Sequence, residues 1–514
     1  MMPKLTKYDP IFRNEYIFAG DAKSITLDTT LINLYMLMRN KGSRIKLKLR
    51  NLTHTIDSLK GYLSSLEKQD YIIGYNENED AGEDWLRSNL VNMVNRGNLQ
   101  KENVTSLRPL HLESYRIRNA KFARDYNSSD QVYLMLSKQP NVLNGLKDYL
   151  SAGWDNSSKT IVENTQLDVD TVGILHLMRN IEVEMLPSND ISNLKPILEK
   201  QADLFCDDIK RLLCYTDVIP RNVFIEYLQT LIGFHLSLYF QKLTYLLPKM
   251  IKAGKKEVED DWTIVADVTD DLDSRISTIA CADMQKTFNG FFDYIKATLQ
   301  VNAVMTLSQF EAKKPDDVND VLSIMTNQDV RFDAFFESKF SDILKRFTEQ
   351  EDKEELLEYV KFENSYFDKY VACLTKMRAA YQLKYTPQFL DKITMKNTET
   401  AFTADGRSKK HPRRAVLASG LLETLVQLLV LEEKENKYKS KSLSVNELID
   451  LIRNRYGIII SGINEPRFAN ADVQTHLAFK ENREAFKNKL RQIGFYTDLS
   501  DANILQKIRP RYKI

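Results

Sequence analysis

Glycine and proline are scarce in this chain of 514 residues, with 17 and 13 copies respectively. Both residues are frequent in the tight turns of all-β folds and in the glycine-rich loops of nucleotide-binding α/β folds. Their scarcity disfavours those architectures and favours helices. The chain also exceeds the usual size of a single hydrophobic core, so we expect several domains. The sequence therefore predicts a mainly α-helical, multidomain protein.

Cysteine is rare as well, and the four copies form neither a CxxC pair nor a closely spaced framework. We therefore expect reduced thiols and a cytoplasmic location. The six histidines are scattered without the spacing of metal ligands, so we expect no metal site among them. The N-terminus lacks the apolar segment of a signal peptide, and no apolar run reaches the length of about 18 residues that a membrane span needs.

Motifs that bind phosphates or dinucleotides, or that carry a catalytic serine, are missing too. The sequence contains no GxxxxGK[ST], no GxGxxG after a predicted strand and no GxSxG. The first two supply the backbone cradle for phosphates, and the third supplies the strained turn that exposes a serine nucleophile. Their absence favours a non-catalytic protein without a cofactor.

The chain does contain an uneven distribution of charge. Residues 407–514 carry 21 Lys and Arg against 12 Asp and Glu, a net charge of +9, while the whole chain carries +1 and residues 1–406 therefore carry −8. Segregated positive charge is typical of contact with nucleic acid or with an acidic partner. The basic part begins with RSKKHPRR, in which we take Lys409, Lys410, Arg413 and Arg414 as candidate DNA contacts.

Residues 407–514 also have the element order of a winged helix. An apolar helix is predicted over 416–431, Ser444 and Glu447 form a capping box for a second helix, and a third helix is predicted over 477–493. Segments 495–499 and 504–509 are expected to form a β-hairpin. In a winged helix the third helix enters a major groove and the hairpin contacts phosphates. The further candidate DNA contacts are Lys480, Arg483, Lys487, Arg491, Arg509 and Arg511.

The rest of the chain is predicted to form an N-terminal helical domain over 1–195 and a central helical domain over 196–400. The most apolar long helix begins at Pro220 and is expected to stop at Pro248, because proline interrupts the helical hydrogen bonds. Segment 387–406 is predicted to be a linker into the basic C-terminal domain. A single strand is predicted in the central domain, over 262–268.

An acidic cluster of Asp267, Asp270, Asp271 and Asp273 follows this strand. Many Mg²⁺-dependent nucleases hold their metal with an aspartate at the end of a strand and further carboxylates nearby, so these residues are the catalytic candidates. The favoured interpretation is simpler: an exposed acidic turn that caps the helix beginning near Ser274.

Three stretches resemble the helical accessory subunits of multi-gene bacterial anti-phage defence systems of the phosphorothioation-dependent restriction or methylation-associated type. They are VIPRNVFIEYLQTLIGFHLSLYF at 218–240, WTIVADVTDDLDS at 262–274, and the ending GFYTDLSDAN…IRPRY. The resemblance implies a cytoplasmic subunit without ATPase activity that works beside an ATPase or a nuclease encoded nearby.

These features together predict a non-catalytic scaffold or adaptor that associates with the phosphates of double-stranded DNA in a defence or DNA-processing complex. Two alternatives remain open. One is a metal-dependent nuclease that uses the acidic cluster, and the other is a structural subunit that docks proteins and never contacts DNA.

Overall fold

The computed structural model describes residues 6, 9–10, 12–14, 16–20, 25–48, 54–95, 102–162, 165–179, 181, 184–310, 315, 317–408, 410–435, 437–496 and 507–514. Helix accounts for 57% of the chain, and the sheets of the described residues have two to four strands. The mainly α-helical class predicted from the sequence is confirmed.

The N-terminal part combines short helices with two-stranded antiparallel ribbons. Its helices are α1 (Leu27–Arg39), α2 (Ile56–Glu67), α3 (Glu79–Trp85), α4 (Ser128–Ser137), α5 (Pro140–Ser151) and α6 (Val169–Met178), with a π-helical turn at Leu86–Leu90 and a 3-10 turn at Leu112–Arg116. Its strands are β1 (Ser43–Lys48), β2 (Val91–Val94), β3 (Asn103–Leu107), β4 (Trp154–Asp155), β5 (Thr160–Ile161) and β6 (Glu184–Asp190). Strand β1 pairs with β6, β2 with β3, and β4 with β5.

The middle of the chain is almost entirely helical. Its elements are α7 (Glu199–Leu213), α8 (Arg221–Ala253), β7 (Ile264–Asp267), α9 (Arg275–Asn289), α10 (Phe291–Phe310), α11 (Val318–Thr326), α12 (Val330–Leu344), α13 (Gln350–Tyr359) and α14 (Tyr366–Ile393). The predicted strand over 262–268 is thus present as β7. The predicted linker over 387–406 is partly wrong, because α14 continues to Ile393.

The C-terminal part alternates short strands with helices. Its elements are β8 (Thr403–Ala404), β9 (Arg414–Val416), α15 (Ser419–Leu429), β10 (Leu431–Lys434), β11 (Lys437–Ser440), β12 (Leu443–Ser444), α16 (Val445–Tyr456), β13 (Ile458–Ile459), a 3-10 turn at Pro466–Phe468, α17 (Val473–Gln492) and β14 (Lys507–Ile508). The capping box of Ser444 and Glu447 is confirmed at the start of α16. The predicted hairpin lies largely outside the described residues, which resume at 507.

Helix α8 is the centre of the main hydrophobic core. It spans 33 residues, and nearly every side chain from Phe224 to Leu247 is buried. The prediction that it stops at Pro248 is wrong: the helix runs on to Ala253 and ends at Gly254 in the left-handed conformation. Proline removes one hydrogen bond, but burial of Leu247 and Met250 on either side holds the turn in place. Among the described helices α8 alone is long and apolar enough to cross a membrane, and 83% of its most apolar window is buried inside the protein.

A four-stranded sheet joins the middle of the chain to its C-terminal part. The strand order is β13-β7-β9-β8, with β7 parallel to both β13 and β9 and with β8 antiparallel to β9. The central strand β7 therefore pairs with two strands that come more than a hundred residues later in the sequence. Gly457 makes the turn from α16 into β13; its φ is +75°, and a Cβ atom there would lie 2.9 Å from the carbonyl oxygen of Trp262.

One hydrophobic cluster lies inside a single predicted domain, whereas the largest cluster spans all three. One cluster contains only residues between Ile56 and Ile181 and lies within the predicted N-terminal domain. The largest cluster extends from Phe12 to Ile508 and includes residues of all three predicted domains. The division at 195 and 407 stays a prediction, but residues 407–514 share a sheet and a core with the middle of the chain.

Candidate nucleic-acid interface

Helix α17 is attached to the protein through its inner face. Phe479, Phe486 and Leu490 are buried there, as their spacing in the sequence indicates. The helix begins four residues earlier than predicted, because the carboxylate of Asp472 accepts a hydrogen bond from the backbone N–H of Thr475 at 2.7 Å. The Thr475 hydroxyl and N–H lower the pKa of Asp472, which keeps a negative charge at the helix N-terminus.

Asn482 fixes the inner face of α17 to two strands of the sheet at once. Its Oδ1 accepts a hydrogen bond from Val268 N at 2.8 Å. Its Nδ2 donates to Ala266 O at 2.9 Å and to Ile460 O at 2.8 Å. The side chain is fully buried, and these three bonds satisfy backbone groups at the ends of β7 and β13. Sequence reasoning missed this residue because an asparagine between two charged residues is typical of a solvated helix face.

The outer face of α17 carries the predicted basic stripe. Lys480 and Arg491 are exposed, and Arg483 and Lys487 are half-buried. The charges of Lys487 and Arg491 lie 5.5 and 5.8 Å from the ring centre of Tyr496. Lys480, Arg483 and Lys487 form no ion pair with any residue that the structure describes. The same face also exposes Glu481 and Glu484, so its positive charge is smaller than the stripe alone suggests.

The last described residues, 507–514, include the short strand β14. Strand β14 pairs with β12 in antiparallel register, with Leu443 opposite Ile508. The backbone N–H of Arg509 donates to Phe495 O at 2.8 Å, and the side chain of Arg509 is exposed. The guanidinium of Arg511, in contrast, forms an ion pair with Glu423 and donates to Ile493 O. Both side chains are exposed, but the guanidinium of Arg511 is held by these two partners.

The basic run that leads into β9, residues 407–414, does not extend into solvent. Its last two arginines contact residues 1–406, which we call the body. Arg413 makes a two-pronged ion pair with Asp391, both bonds at 2.7 Å, and its guanidinium lies 5.0 Å from the ring centre of Phe288. Arg414 is buried. Lys410 is exposed, and Lys409 lies outside the described residues. Arg413 and Arg414, predicted as DNA contacts, are therefore already paired with carboxylates of the protein.

Two aspartates of the acidic turn after β7 form ion pairs within the protein and are not available as metal ligands in an open site. Asp267 is fully buried, accepts from Arg414 Nε at 2.8 Å, and accepts from the hydroxyl and the N–H of Thr269. Asp270, with a left-handed φ of 58°, forms an ion pair with Lys489 at 3.3 Å. The four candidate carboxylates do not converge: Asp267 is directed inward, and Asp271 and Asp273 are exposed.

The helix that follows this turn begins next to Ser274, where the simpler interpretation predicts, but Ser274 itself and not an aspartate caps it. The Ser274 side chain caps α9 by accepting from Ser277 N, and Asp271 Oδ1 accepts from Asp273 N at 3.0 Å. Within the described part of the chain, no three His, Cys, Asp or Glu side chains are grouped so that they could hold a metal ion.

Ion pairs between residues 407–514 and the acidic body use much of the basic charge that the sequence displays. The pairs are Arg413 with Asp391, Arg414 with Asp267 and Asp405, Arg455 with Asp207 and Asp208, Arg467 with Asp283, and Lys489 with Asp270. The uneven charge distribution in the sequence, with a basic C-terminal part and an acidic body, could have indicated these contacts. It therefore has two sources: attachment of the C-terminal part to the body, and the outer cations of α17 and β14.

The comparisons with known proteins agree with the resemblance seen in the sequence. Residues 7–512 match the family described as methylation-associated defense system protein MAD7. No curated protein matches the chain significantly. Because the match covers nearly the whole chain, this protein belongs to the MAD7 family of methylation-associated defense system proteins and has a role in anti-phage defence.

Proposed function

We propose that the protein is a non-catalytic adaptor of the methylation-associated defence system that associates with double-stranded DNA. The observation that carries this proposal is the position of α17. Its inner face is held by Asn482 and three buried apolar side chains, while its outer face presents Lys480, Arg483 and Lys487 to solvent. A rigidly mounted helix with cations directed outward can follow the phosphates of a groove without rearranging on binding.

The strand pairing around α17 supports a winged-helix-like arrangement. The elements run α15, β10, β11, β12, α16, β13, a 3-10 turn, α17 and β14, so the basic helix is the third α-helix, and β12 pairs with β14. In helix-turn-helix proteins of this kind the last helix enters the major groove. Exposed Arg509 directly follows β14, the strand that would border a wing, where phosphate contacts are expected.

The surroundings of Asp267 favour an adaptor over the nuclease alternative. A catalytic magnesium ion needs carboxylate oxygens that are free to coordinate it. Both Asp267 oxygens already accept hydrogen bonds, one from Arg414 and one from Thr269. The chemistry of defence would then come from a partner subunit, and an ATPase or a nuclease of the same system fits this division of labour.

Fluorescence anisotropy with a short labelled duplex tests the proposal. We expect the full-length protein to bind two unrelated sequences with similar affinity at low salt. Affinity should fall by about 0.9 log units per log unit of salt for each phosphate neutralised. The double variant Arg483→Glu, Lys487→Glu should bind both duplexes more weakly and give a shallower salt slope.

A variant with the same change in charge elsewhere provides the control. Lys255→Glu with Lys384→Glu reverses two exposed cations of the body. It should bind DNA almost as the wild type does. If the wild type shows no binding at low salt, or if both double variants lose affinity equally, α17 does not contact DNA and the protein-docking alternative takes its place.

A further inference from the structure

Helix α13 contributes little to the core of the protein. Of its ten residues only Leu356 is buried, followed directly by buried Val360. The exposed fractions of Leu357, Tyr359 and Phe362 are 39%, 48% and 85%. Isolated helices shorter than about 12 residues are marginal in water, and most helices are held by the packing of an apolar face. Here the fold leaves three apolar side chains on the surface.

The same segment is strongly acidic. Residues 349–363 contain seven Asp and Glu against two Lys, a net charge of −5. Four exposed glutamates are spaced by three and four residues, which places them on one side of the helix, opposite Leu356. They are Glu351, Glu354, Glu355 and Glu358. We call these glutamates, together with Leu357, Tyr359 and Phe362, the α13 face.

The stability of the helix does not account for this row of carboxylates. A carboxylate stabilises the first turn of a helix through the macrodipole, but Glu358 lies in the last turn, where a negative charge is unfavourable. Like charges three and four residues apart also destabilise a helix. Glu351 and Glu354 form no ion pair with any residue that the structure describes. The row therefore costs stability that a cationic partner would restore.

Two lysines of the protein show how this face holds a cation. The ammonium group of Lys376 lies 2.7 Å from Glu355 Oε1 and 4.7 Å from the ring centre of Tyr359. The other lysine, Lys361, pairs with Glu358 at 3.2 Å. The carboxylate side chains of both pairs stay about 70% exposed, so these pairs are weak. Carboxylates and an aromatic ring side by side attract a cation by charge and by its contact with the ring.

We propose that the α13 face docks a basic segment of a partner protein, one that carries apolar side chains among its cations. Exposed apolar groups bordered by polar ones mark interaction sites, and complementary charge selects the partner and speeds association. The carboxylates that attach residues 407–514 to the body lie elsewhere, so this face stays open. DNA and anionic lipid would be repelled by its charge. This docking is a second function, independent of DNA contact at α17.

Fluorescence anisotropy of the full-length protein with three short labelled peptides tests the docking. The first peptide combines Lys and Leu at helical spacing, the second has Ser in place of every Leu, and the third has Glu in place of every Lys. We expect the Lys/Leu peptide to bind with a Kd below about 100 μM. The other two peptides should each bind at least about tenfold more weakly.

Variants at exposed positions locate the binding. Glu351→Lys with Glu354→Lys reverses two carboxylates of the α13 face that have no ion pair among the described residues, and Phe362→Ser removes its most exposed ring. Each variant should lower the affinity for the Lys/Leu peptide at least about tenfold. Both should keep the wild-type affinity for duplex DNA, so the result is separate from the DNA test.

Matched changes elsewhere on the surface provide the controls. Glu257→Lys with Glu259→Lys reverses two exposed carboxylates of the body, and Ile73→Ser removes a side chain that is 97% exposed. These variants should bind the Lys/Leu peptide as the wild type does. The proposal is overturned if this peptide does not bind, if the Lys/Ser peptide binds as tightly, or if the controls lose affinity equally.

Gel filtration tests whether a second copy of the chain occupies this face instead. We expect the wild type and the Glu351→Lys, Glu354→Lys variant to elute at the same volume. A wild-type dimer that this variant abolishes would assign the α13 face to a second copy and would overturn the proposal.

Discussion

The guanidinium of Arg414 lies 2.8 Å from the carboxylate of Asp267 in the interior of the protein. Asp267 ends the central strand β7, and Arg414 begins the neighbouring strand β9. Arg414 also pairs with Asp405, which follows β8. One buried cation thus connects β7 of the predicted central domain, β9 of the predicted C-terminal domain and β8 of the segment between them. This connection gives Asp267 a structural role.

The aspartates of the acidic turn should differ in their effect on stability. Asp267→Asn removes a buried partner of Arg414, and breaking such a pair costs about 3–5 kcal/mol. Because Asp405 still contacts Arg414, we expect the lower end of that range. Asp271→Asn, on the exposed part of the turn, should change the free energy of unfolding by less than about 0.5 kcal/mol. Urea denaturation of the two variants measures the difference, and equal stabilities would contradict an anchoring role for Asp267.

Residues 407–514 should not fold without the rest of the chain. Residues 407–414 include exposed positions where a protease can cut, but β9 and β13 pair with β7 and Tyr215 donates to Gln427 O at 2.7 Å. We expect limited proteolysis at this run to leave both fragments associated in gel filtration. Fragment 407–514 expressed by itself should be insoluble or unfolded. Release of a stable, folded C-terminal fragment would show that the domain boundary at 407 is real and that the shared sheet contributes little.

A buried network around Asp208 should be the most sensitive link between α16 and the body. Its carboxylate accepts from His235 Nε2 at 2.9 Å and from Tyr456 OH at 2.7 Å, and Arg455 lies within 2.5 Å. Burial alone would raise the pKa of Asp208, but the hydrogen bond from His235 and the nearby charges hold it below its usual value. Tyr456→Phe should cost about 1–3 kcal/mol.

The larger effect is expected from Asp208 itself. Asp208→Asn leaves Arg455 with Asp207 as its remaining carboxylate and should cost about 3–5 kcal/mol. Chemical denaturation followed by circular dichroism ranks the two variants. The opposite ranking would mean that the tyrosine hydroxyl, not the charge, holds α16 in place.

His111 should make stability depend on pH. Burial lowers its pKa to about 3, helped by the charge of Arg221. The unfolded chain protonates this histidine below about pH 6.5 while the folded protein does not, so stability falls as the pH drops from 6.5 toward 3. Between pH 6.5 and 5 the loss should be about 2 kcal/mol.

The variant His111→Asn isolates this contribution. Asparagine can accept the hydrogen bond that His111 Nδ1 receives from Glu113 N, but it does not titrate. Urea denaturation at pH 7, 6 and 5 should therefore give a shallower dependence for the variant. If the free energy of unfolding depends on pH equally in the wild type and the variant, His111 has the same protonation in the folded and unfolded states.

Features set by neighbouring residues were predictable from the sequence. The capping box at Ser444 depends on two side chains three residues apart, and the buried stripe of α17 depends on spacing within one helix. The strand after Trp262 was also visible from its run of β-formers. The interactions that define the capping box and the buried stripe lie within about twenty residues, so a local pattern is sufficient for them. For the strand, the local pattern showed the strand itself but not its partners.

Features set by distant contacts were not predictable. Strands β9 and β13 are only two or three residues long, and their pairing with β7 has no local signature. The continuation of α8 through Pro248 depends on burial of both flanking turns. The same limit applies to the candidate site: the sequence displayed the cations, but only the fold separates Lys480 on the surface from Arg414 in the interior.

The strand order of the sheet also determines how late in synthesis the sheet can form. Strand β7 leaves the ribosome about 150 residues before β9 and about 190 residues before β13. At about 5–20 residues per second, roughly 10–40 s pass before both neighbours of β7 exist. Throughout that time an apolar strand has unpaired edges, which favours aggregation. A nascent chain interrupted before residue 458 should therefore be degraded as a whole, and a shortened gene should yield no partly working protein.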